Sequence, residues 1–299
     1  MKTHLLRVRK GTTGARPGQF LMLLLPLAFV LFGSSTASAH NDCFALLSSG
    51  AGPTLMKVCI SQHGNLSKFE SPAGFDQIGL GNLWRDGYSI CTGNLPTFPN
   101  VPEGYDAGAN EGGFGAAVIN EPNGPNTLPL TITRTTNDGV YQLVQSYGQD
   151  TLKRDLFITM KITRLSNADC GSNGCPPVRL ARYFEGDVDN NQSADARFAQ
   201  DTDSVWEWIN IAGNHGFVLD NLVSAGAGYA TTVHTAADFD PNGGGNQIAK
   251  GCIVFAGQVP TPTDPAFTNA ANLHGRIIYV WGNIAHNKSK TVKVSYRRF

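Results

Sequence analysis

From Leu130 onward, apolar and polar residues change places at almost every step. LTIT, VYQLVQSY and DLFITMKITRL set the pattern, with Leu156, Ile158, Met160 and Ile162 falling on one side of the third run. VRLARYF, VWEWINI, FVLD, YATTVH, CIVFAG, RIIYVWG and TVKVSY continue it, rich in β-branched and aromatic residues and separated by turns of Asn, Gly, Asp and Pro. Successive side chains of a strand point to opposite faces, so period two predicts strands with one buried face. At least eight such strands predict an all-β fold of antiparallel sheets packed face to face, a large β-sandwich with long loops. Nothing after Leu128 carries the three-to-four-residue period of a long amphipathic helix, and no blade repeat points to a propeller.

Ahead of Leu130 the pattern weakens. FALLSSGAGPTLMKVCI, near the start of the globular region, fits a short helix or a hairpin equally well. Residues 72–129 are dense in Gly, Pro, Asn and Asp and hold only short apolar pieces such as IGLGNLW and FGAAVI. The reading is one β-sandwich domain over residues 40–299, of which 40–128 form a loop-rich N-terminal part.

The first 39 residues read as a signal peptide rather than as part of that domain. Lys2, Arg7, Arg9, Lys10 and Arg16 precede the apolar FLMLLLPLAFVLF, and Ala37-Ser38-Ala39 supplies a cleavage pattern. At 13 residues, Phe20–Phe32 is short of the roughly 20 a membrane-spanning helix needs, and no second stretch approaches that length. The mature chain is therefore expected to start at His40, be secreted or periplasmic, and carry no transmembrane segment. Loss of the leader's five basic residues leaves 18 basic against 23 acidic. That balance argues against a nucleic-acid or anionic-membrane partner.

The C-terminal TVKVSYRRF resembles the last strand of bacterial outer-membrane barrels, but its phase is wrong. Residues in step with Phe299 are Arg297, Ser295 and Lys293, whereas Val292, Val294 and Tyr296 form the apolar set. A soluble strand fits better. The succession DLFITMKITRL, a Cys-bounded turn and VRLARYFEGDVD resembles secreted bacterial sandwich proteins. That resemblance implies an exported all-β protein and no particular active site.

All six cysteines lie beyond the leader. An even count in an exported chain favours disulfides, and Cys170 and Cys175, flanking the short GSNG, are the pair most easily joined. Zinc binding by these cysteines lacks a second cysteine pair or a nearby histidine.

After RYF comes EGDVDNNQSADARF, in which Asp187, Asp189, Asn191, Ser193 and Asp195 recur at every second position. Hard oxygen donors at relative positions 1, 3, 5, 7 and 9 suit calcium. Gln192 stands where a tight calcium loop wants glycine and Phe198 where a closing glutamate belongs, so this is no EF-hand. Asp238, Asp240 and Asn242 repeat the kernel. The competing reading is that Asp and Asn bond their own backbone and shape turns. If metal binds here, it staples loops.

Candidate chemistry is sparse. HExxH, GxSxG and a phosphate loop are absent. Five histidines remain in the mature domain after the terminal one, and His234 stands out because it ends a strand four residues before Asp238. Glu185, Asp187 and Asp189 sit at a spacing two-carboxylate glycoside chemistry can use, about 6.5 Å between alternate residues. Trp206 and Trp208 share one side of VWEWINI, where two indoles can stack on sugar rings or fill the core. The main expectation is an exported sandwich with a structural or ligand-binding role, carbohydrate being the natural partner, stabilised by calcium if the acidic loops bind it. The alternative is a carbohydrate hydrolase or lyase using carboxylates near the acidic loop.

Overall fold

The computed structural model describes residues 43–78, 86–93, 101–106, 111–152, 154–172, 174–185, 196–200, 204–209, 216–223, 228–235, 267–268 and 273–298. At 101–103, 185, 196–200, 205–209, 229–235, 267–268 and 273–274 the backbone alone is described. All of these residues belong to the unit Ser38–Phe299, and the unit Met1–Ala37 falls outside them.

The chain folds almost entirely into strands, in order β1 (Ala45–Ser49), β2 (Met56–Ile60), β3 (Leu66–Glu70), β4 (Asp86–Thr92), β5 (Val101–Asp106) and β6 (Glu111–Gly112). There follow β7 (Val118–Asn120), β8 (Leu130–Thr135), β9 (Tyr141–Asp150), β10 (Asp155–Arg164), β11 (Val178–Glu185) and β12 (Ala196–Gln200). The last six are β13 (Ser204–Ile209), β14 (Gly216–Val223), β15 (Gly228–Thr235), β16 (Phe267–Thr268), β17 (Leu273–Trp281) and β18 (Ser289–Arg298). The helical content of the described residues is one 3-10 turn, Gly52–Thr54, so no helix among them is long and apolar enough to cross a membrane.

These strands make three antiparallel sheets. A small one has the order β1-β2-β3, a nine-stranded one β16-β12-β13-β14-β18-β10-β9-β8-β7, and a six-stranded one β15-β17-β11-β4-β5-β6. The expected all-β, sheet-on-sheet architecture is what the chain adopts. The segment that fitted a helix or a hairpin is β1 and β2 of the small sheet. Cys43 is bonded there to Cys59, Cys170 is bonded to Cys175, and Cys91 is also disulfide-bonded.

Alternation sets the packing. In β8, β9 and β10 every second residue is buried, and Ile158 lies opposite Val294 on one side and Tyr147 on the other. The sheets converge on Phe217 of β14. Phe69 of the small sheet approaches its ring to 4.8 Å between centroids, Phe184 of the six-stranded sheet to 5.4 Å, and Tyr296 of its own sheet to 5.8 Å. Edge-to-face and offset contacts at these distances add to the burial itself. Strand β4 is buried at all seven positions, so the six-stranded sheet is covered on both faces there.

Candidate functional site

The polar centre of the fold is built on the tight turn between β2 and β3. Ser61 Oγ accepts the backbone N–H groups of His63 and Asn65, and the Ser61 N–H donates to Asn65 O at 2.8 Å. Gly64 closes the turn at φ +92°, a conformation that disfavours any side chain. A Cβ there would stand 2.4 Å from Gln145 Nε2 and 2.6 Å from the Tyr147 hydroxyl. Those near neighbours hold the turn. The Tyr147 hydroxyl donates to Gly64 O at 2.6 Å and Arg182 to the same oxygen at 3.2 Å. The Tyr88 hydroxyl donates to His63 O at 2.6 Å, and Gln145 Nε2 at 3.3 Å. Side chains of both large sheets thus grip one backbone turn of the small sheet.

Two charged groupings flank that turn. The inner one centres on Arg182, fully buried and ion-paired with Asp86. Arg182 also donates to the Tyr296 hydroxyl at 2.9 Å and to Gln145 Oε1 at 2.8 Å. The Tyr296 hydroxyl donates to Asp86 at 2.6 Å, and the Leu66 N–H does so at 2.7 Å. Burial pushes the Asp86 carboxyl up to about 6 against the opposing pull of Arg182, Tyr296 and the Leu66 N–H. Asp86 is therefore ionised at neutral pH, and Arg182, held up by that charge, is protonated. Every donor and acceptor in this grouping comes from a different strand or turn, which marks it as structural.

The outer grouping has an opening to solvent. His63 Nδ1 donates to Asp106 Oδ2 and to Glu111 Oε2, each at 3.1 Å. Arg134 of β8 reaches the same two oxygens, at 3.3 Å and 2.9 Å, and its Nε donates to Gly115 O at 2.8 Å. Asn65 Nδ2 donates to the other oxygen of Asp106. Asp106 and Arg134 are buried, His63 is 14% exposed and Glu111 34% exposed. Burial disfavours the imidazolium, but the hydrogen bonds to Asp106 and Glu111 outweigh it and raise His63 to about 9. Burial alone would raise Glu111; its bonds to His63 and Arg134 win and hold it below the usual carboxylate range. At neutral pH two carboxylates face two cations, and the grouping is balanced.

Chemically this is a histidine fixed at Nδ1 by a buried carboxylate, beside a second carboxylate that water reaches. The ligating atoms of His63, Asp106 and Glu111 lie within 4.8 Å of one another, so the three can also hold a metal ion. One nitrogen and two carboxylates do not specify calcium. A cation must also displace the Nδ1 proton and tolerate Arg134 on the same oxygens, which makes proton chemistry the easier use.

Sequence spacing could not have found this site, since His63 of the β2–β3 turn precedes Asp106 by 43 residues and Asp106 and Glu111 come from two short strands with no motif between them. The signal nearest to it is Gly64, a turn glycine next to a histidine. Of the residues singled out from sequence, Asp187, Asp189, Asn191, Ser193, Asp195, Asp238, Asp240 and Asn242 lie outside the described residues. Trp206 and Trp208 are opposite Val218 and Gly216 of β14, whereas Val205 and Glu207 are opposite the core residues Leu219 and Phe217. The two tryptophans thus share one face of that sheet, and their side chains lie outside what is described.

No protein-family model and no curated protein matches the sequence. Among solved structures the chain is similar to a bacterial glucoamylase complexed with acarbose, with a TM-score of 0.52 at 11% identity over 86% of this chain. It spans 32% of the length of that protein. A heparinase III gives a TM-score of 0.43 at 6% identity over 86% of this chain and 35% of the other. A putative aldose 1-epimerase from Escherichia coli K12 gives 0.35 at 13% identity over 85% and 99%. The glucoamylase likeness is one of fold.

Proposed function

We propose that this protein is a carbohydrate-active enzyme, a hydrolase or lyase, working by proton transfer at His63 and Glu111. The observation that carries the reading is the outer grouping: a protonated imidazole and an ionised carboxylate, partly open to solvent, backed by buried Asp106 and Arg134. Asp106 fixes the ring by accepting from Nδ1, as a buried carboxylate does for an acid–base histidine, so protons pass to and from substrate through Nε2. His63 donates to the departing glycosidic oxygen, and Glu111 accepts a proton from water or from a sugar carbon. This division differs from the two-carboxylate scheme, which needs one carboxylic acid raised in pKa; Glu111 is lowered. The fold shared with part of a glucoamylase supports carbohydrate as the substrate class.

The test is incubation with a panel of neutral and uronate-containing oligosaccharides, with products read by mass spectrometry. A mass gain of one water marks hydrolysis, and an unsaturated sugar marks elimination. Glu111→Gln and His63→Gln should each lower turnover by about 10²-fold or more, the range for a positioned acid or base. No product from any glycan, or full activity in both variants, overturns the reading.

We further propose that the enzyme works outside the cytoplasm. The leader-like N-terminus and the disulfide-bonded Cys43, Cys59, Cys91, Cys170 and Cys175 support an oxidising compartment.

A further inference from the structure

The connection from β10 to β11 brings a buried cation up to a disulfide. Arg164, the last residue of β10, is completely buried, and its guanidinium is anchored on several sides. Nε donates to Ser166 O at 2.9 Å, Nη1 donates to Ile284 O at 3.3 Å, and Nη2 is ion-paired with Asp169. The Tyr141 hydroxyl fixes that carboxylate in turn, donating to its other oxygen at 2.8 Å. From this anchored position Nη2 of Arg164 reaches Cys170 Sγ at 2.8 Å.

A disulfide sulfur is a weak acceptor and gains little from a guanidinium. A thiolate gains far more, because the hydrogen bond is then charge-assisted. The contact therefore favours the reduced pair over the bonded one. The Asp169 carboxylate, 3.8 Å from the same sulfur, opposes a second negative charge there. Its two oxygens are already engaged, one by Arg164 and one by Tyr141, which blunts that opposition. Cys175 Sγ has a neutral neighbour, Asn167 Oδ1 at 3.9 Å, which can accept from a thiol. The two sulfurs are unequal.

The turn does not need the sulfur–sulfur bond to keep its shape. The Cys170 N–H donates to Asn167 O and the Gly174 N–H to Gly171 O, each at 3.0 Å. Gly171 and Gly174 are exposed, and a Cβ on either would meet nothing within 4 Å, so a second thiol can approach. The bond between Cys43 and Cys59 is placed differently. Cys59 is 2% exposed, and that bond spans 16 residues where Cys170–Cys175 spans 5.

We infer that Cys170 and Cys175 are a redox-active pair that accepts two electrons from a dithiol by thiol–disulfide exchange, with Cys170 as the leaving thiolate. One thiolate of the dithiol attacks Cys175 Sγ, and the bond to Cys170 breaks. Its electron pair leaves on Cys170, where Arg164 meets the new charge. A sulfur that is more stable as a thiolate leaves faster, which directs the attack to Cys175. The second thiolate of the dithiol then attacks the dithiol sulfur of the mixed disulfide and releases Cys175. Cys175 takes up one proton, and the dithiol's other proton goes to water. The dithiol ends as a disulfide and the pair as a thiolate and a thiol, so no further oxidant or reductant is required.

The experiment equilibrates the full, folded chain with mixtures of reduced and oxidised glutathione, alkylates free thiols and maps them by mass spectrometry. Cys170–Cys175 should open under conditions at least about tenfold less reducing than those that open Cys43–Cys59. Trapped glutathione should sit on Cys175. In the reduced protein, alkylation of Cys170 should be half-maximal at least about one pH unit below the 8.5 of a free thiol. The charged groups facing that sulfur, among the described residues, are Arg164 and Asp169. Arg164→Gln should move the Cys170–Cys175 equilibrium at least about tenfold toward the bonded form and leave Cys43–Cys59 unmoved. The glutathione position and the pH midpoint are read in the unaltered protein, so they decide the matter whether or not that variant folds. Opening of both bonds together, glutathione on Cys170, or an ordinary thiol midpoint overturns the proposal.

Discussion

Two residues of the β2–β3 turn link stability to the candidate site. Gly64 takes φ +92° with Gln145 and Tyr147 against it, so Gly64→Ala combines backbone strain with a steric overlap. A loss of about 1–3 kcal/mol in urea denaturation is expected from strain of this kind, and an unchanged midpoint would show that the turn yields. His63 gives a pH signature. Its pKa is raised from 6.5 to about 9, so the native state holds the extra proton between those values. The stabilisation is complete below about pH 6.5 and disappears as pH climbs through 9, on the order of 3 kcal/mol in total. Melting should fall across that window in the unaltered protein and stay nearly flat in His63→Gln. Sequence offered little warning of either residue: one histidine among several and one glycine among 34 carry no spacing signal until the fold brings Asp106 and Arg134 to them.

At the scale of elements, the alternation that announced the strands was legible because each has one buried face, as Leu156, Ile158, Met160 and Ile162 of β10 show. It was least legible where burial is two-sided or polar. Strand β4, DGYSICT, is buried throughout yet holds Asp86, Ser89 and Thr92, so it has no apolar period to read. Its Asp86 pairs across the sheet interior with Arg182, which sits on the apolar phase of VRLARYF. Removing one partner of a buried pair leaves the other charge unanswered, at a cost of about 3–5 kcal/mol. Arg182→Leu should therefore unfold far more readily than the double variant Arg182→Leu with Asp86→Asn. Equal stability of the two would deny that each buried charge depends on the other. The bond between Cys43 and Cys59 clamps the small sheet over a separation of 16 residues. Cys43→Ser with Cys59→Ser should cost about 2–4 kcal/mol, read as a lowered denaturation midpoint.

Across the folded unit, three sheets meet where both large ones reach the turn of the small one, and the solvent-facing side of that junction carries His63 and Glu111. The sandwich class was readable from period-two patterning; the junction was not, because its partners come from all three sheets. The calcium-like stretches after RYF and at Asp238 lie outside the described residues, and the tryptophan pair belongs to β13 rather than to the strands that build the junction. Sugar therefore has three candidate landing points, which one measurement separates. A crystal structure of Glu111→Gln soaked with the oligosaccharide that the unaltered protein turns over should show a sugar oxygen within about 3.2 Å of the His63 ring, hydrogen-bonding distance for an acid–base group. Sugar stacked on Trp206 and Trp208, or bound at the acidic stretch with none at His63, would contradict a catalytic role for the junction.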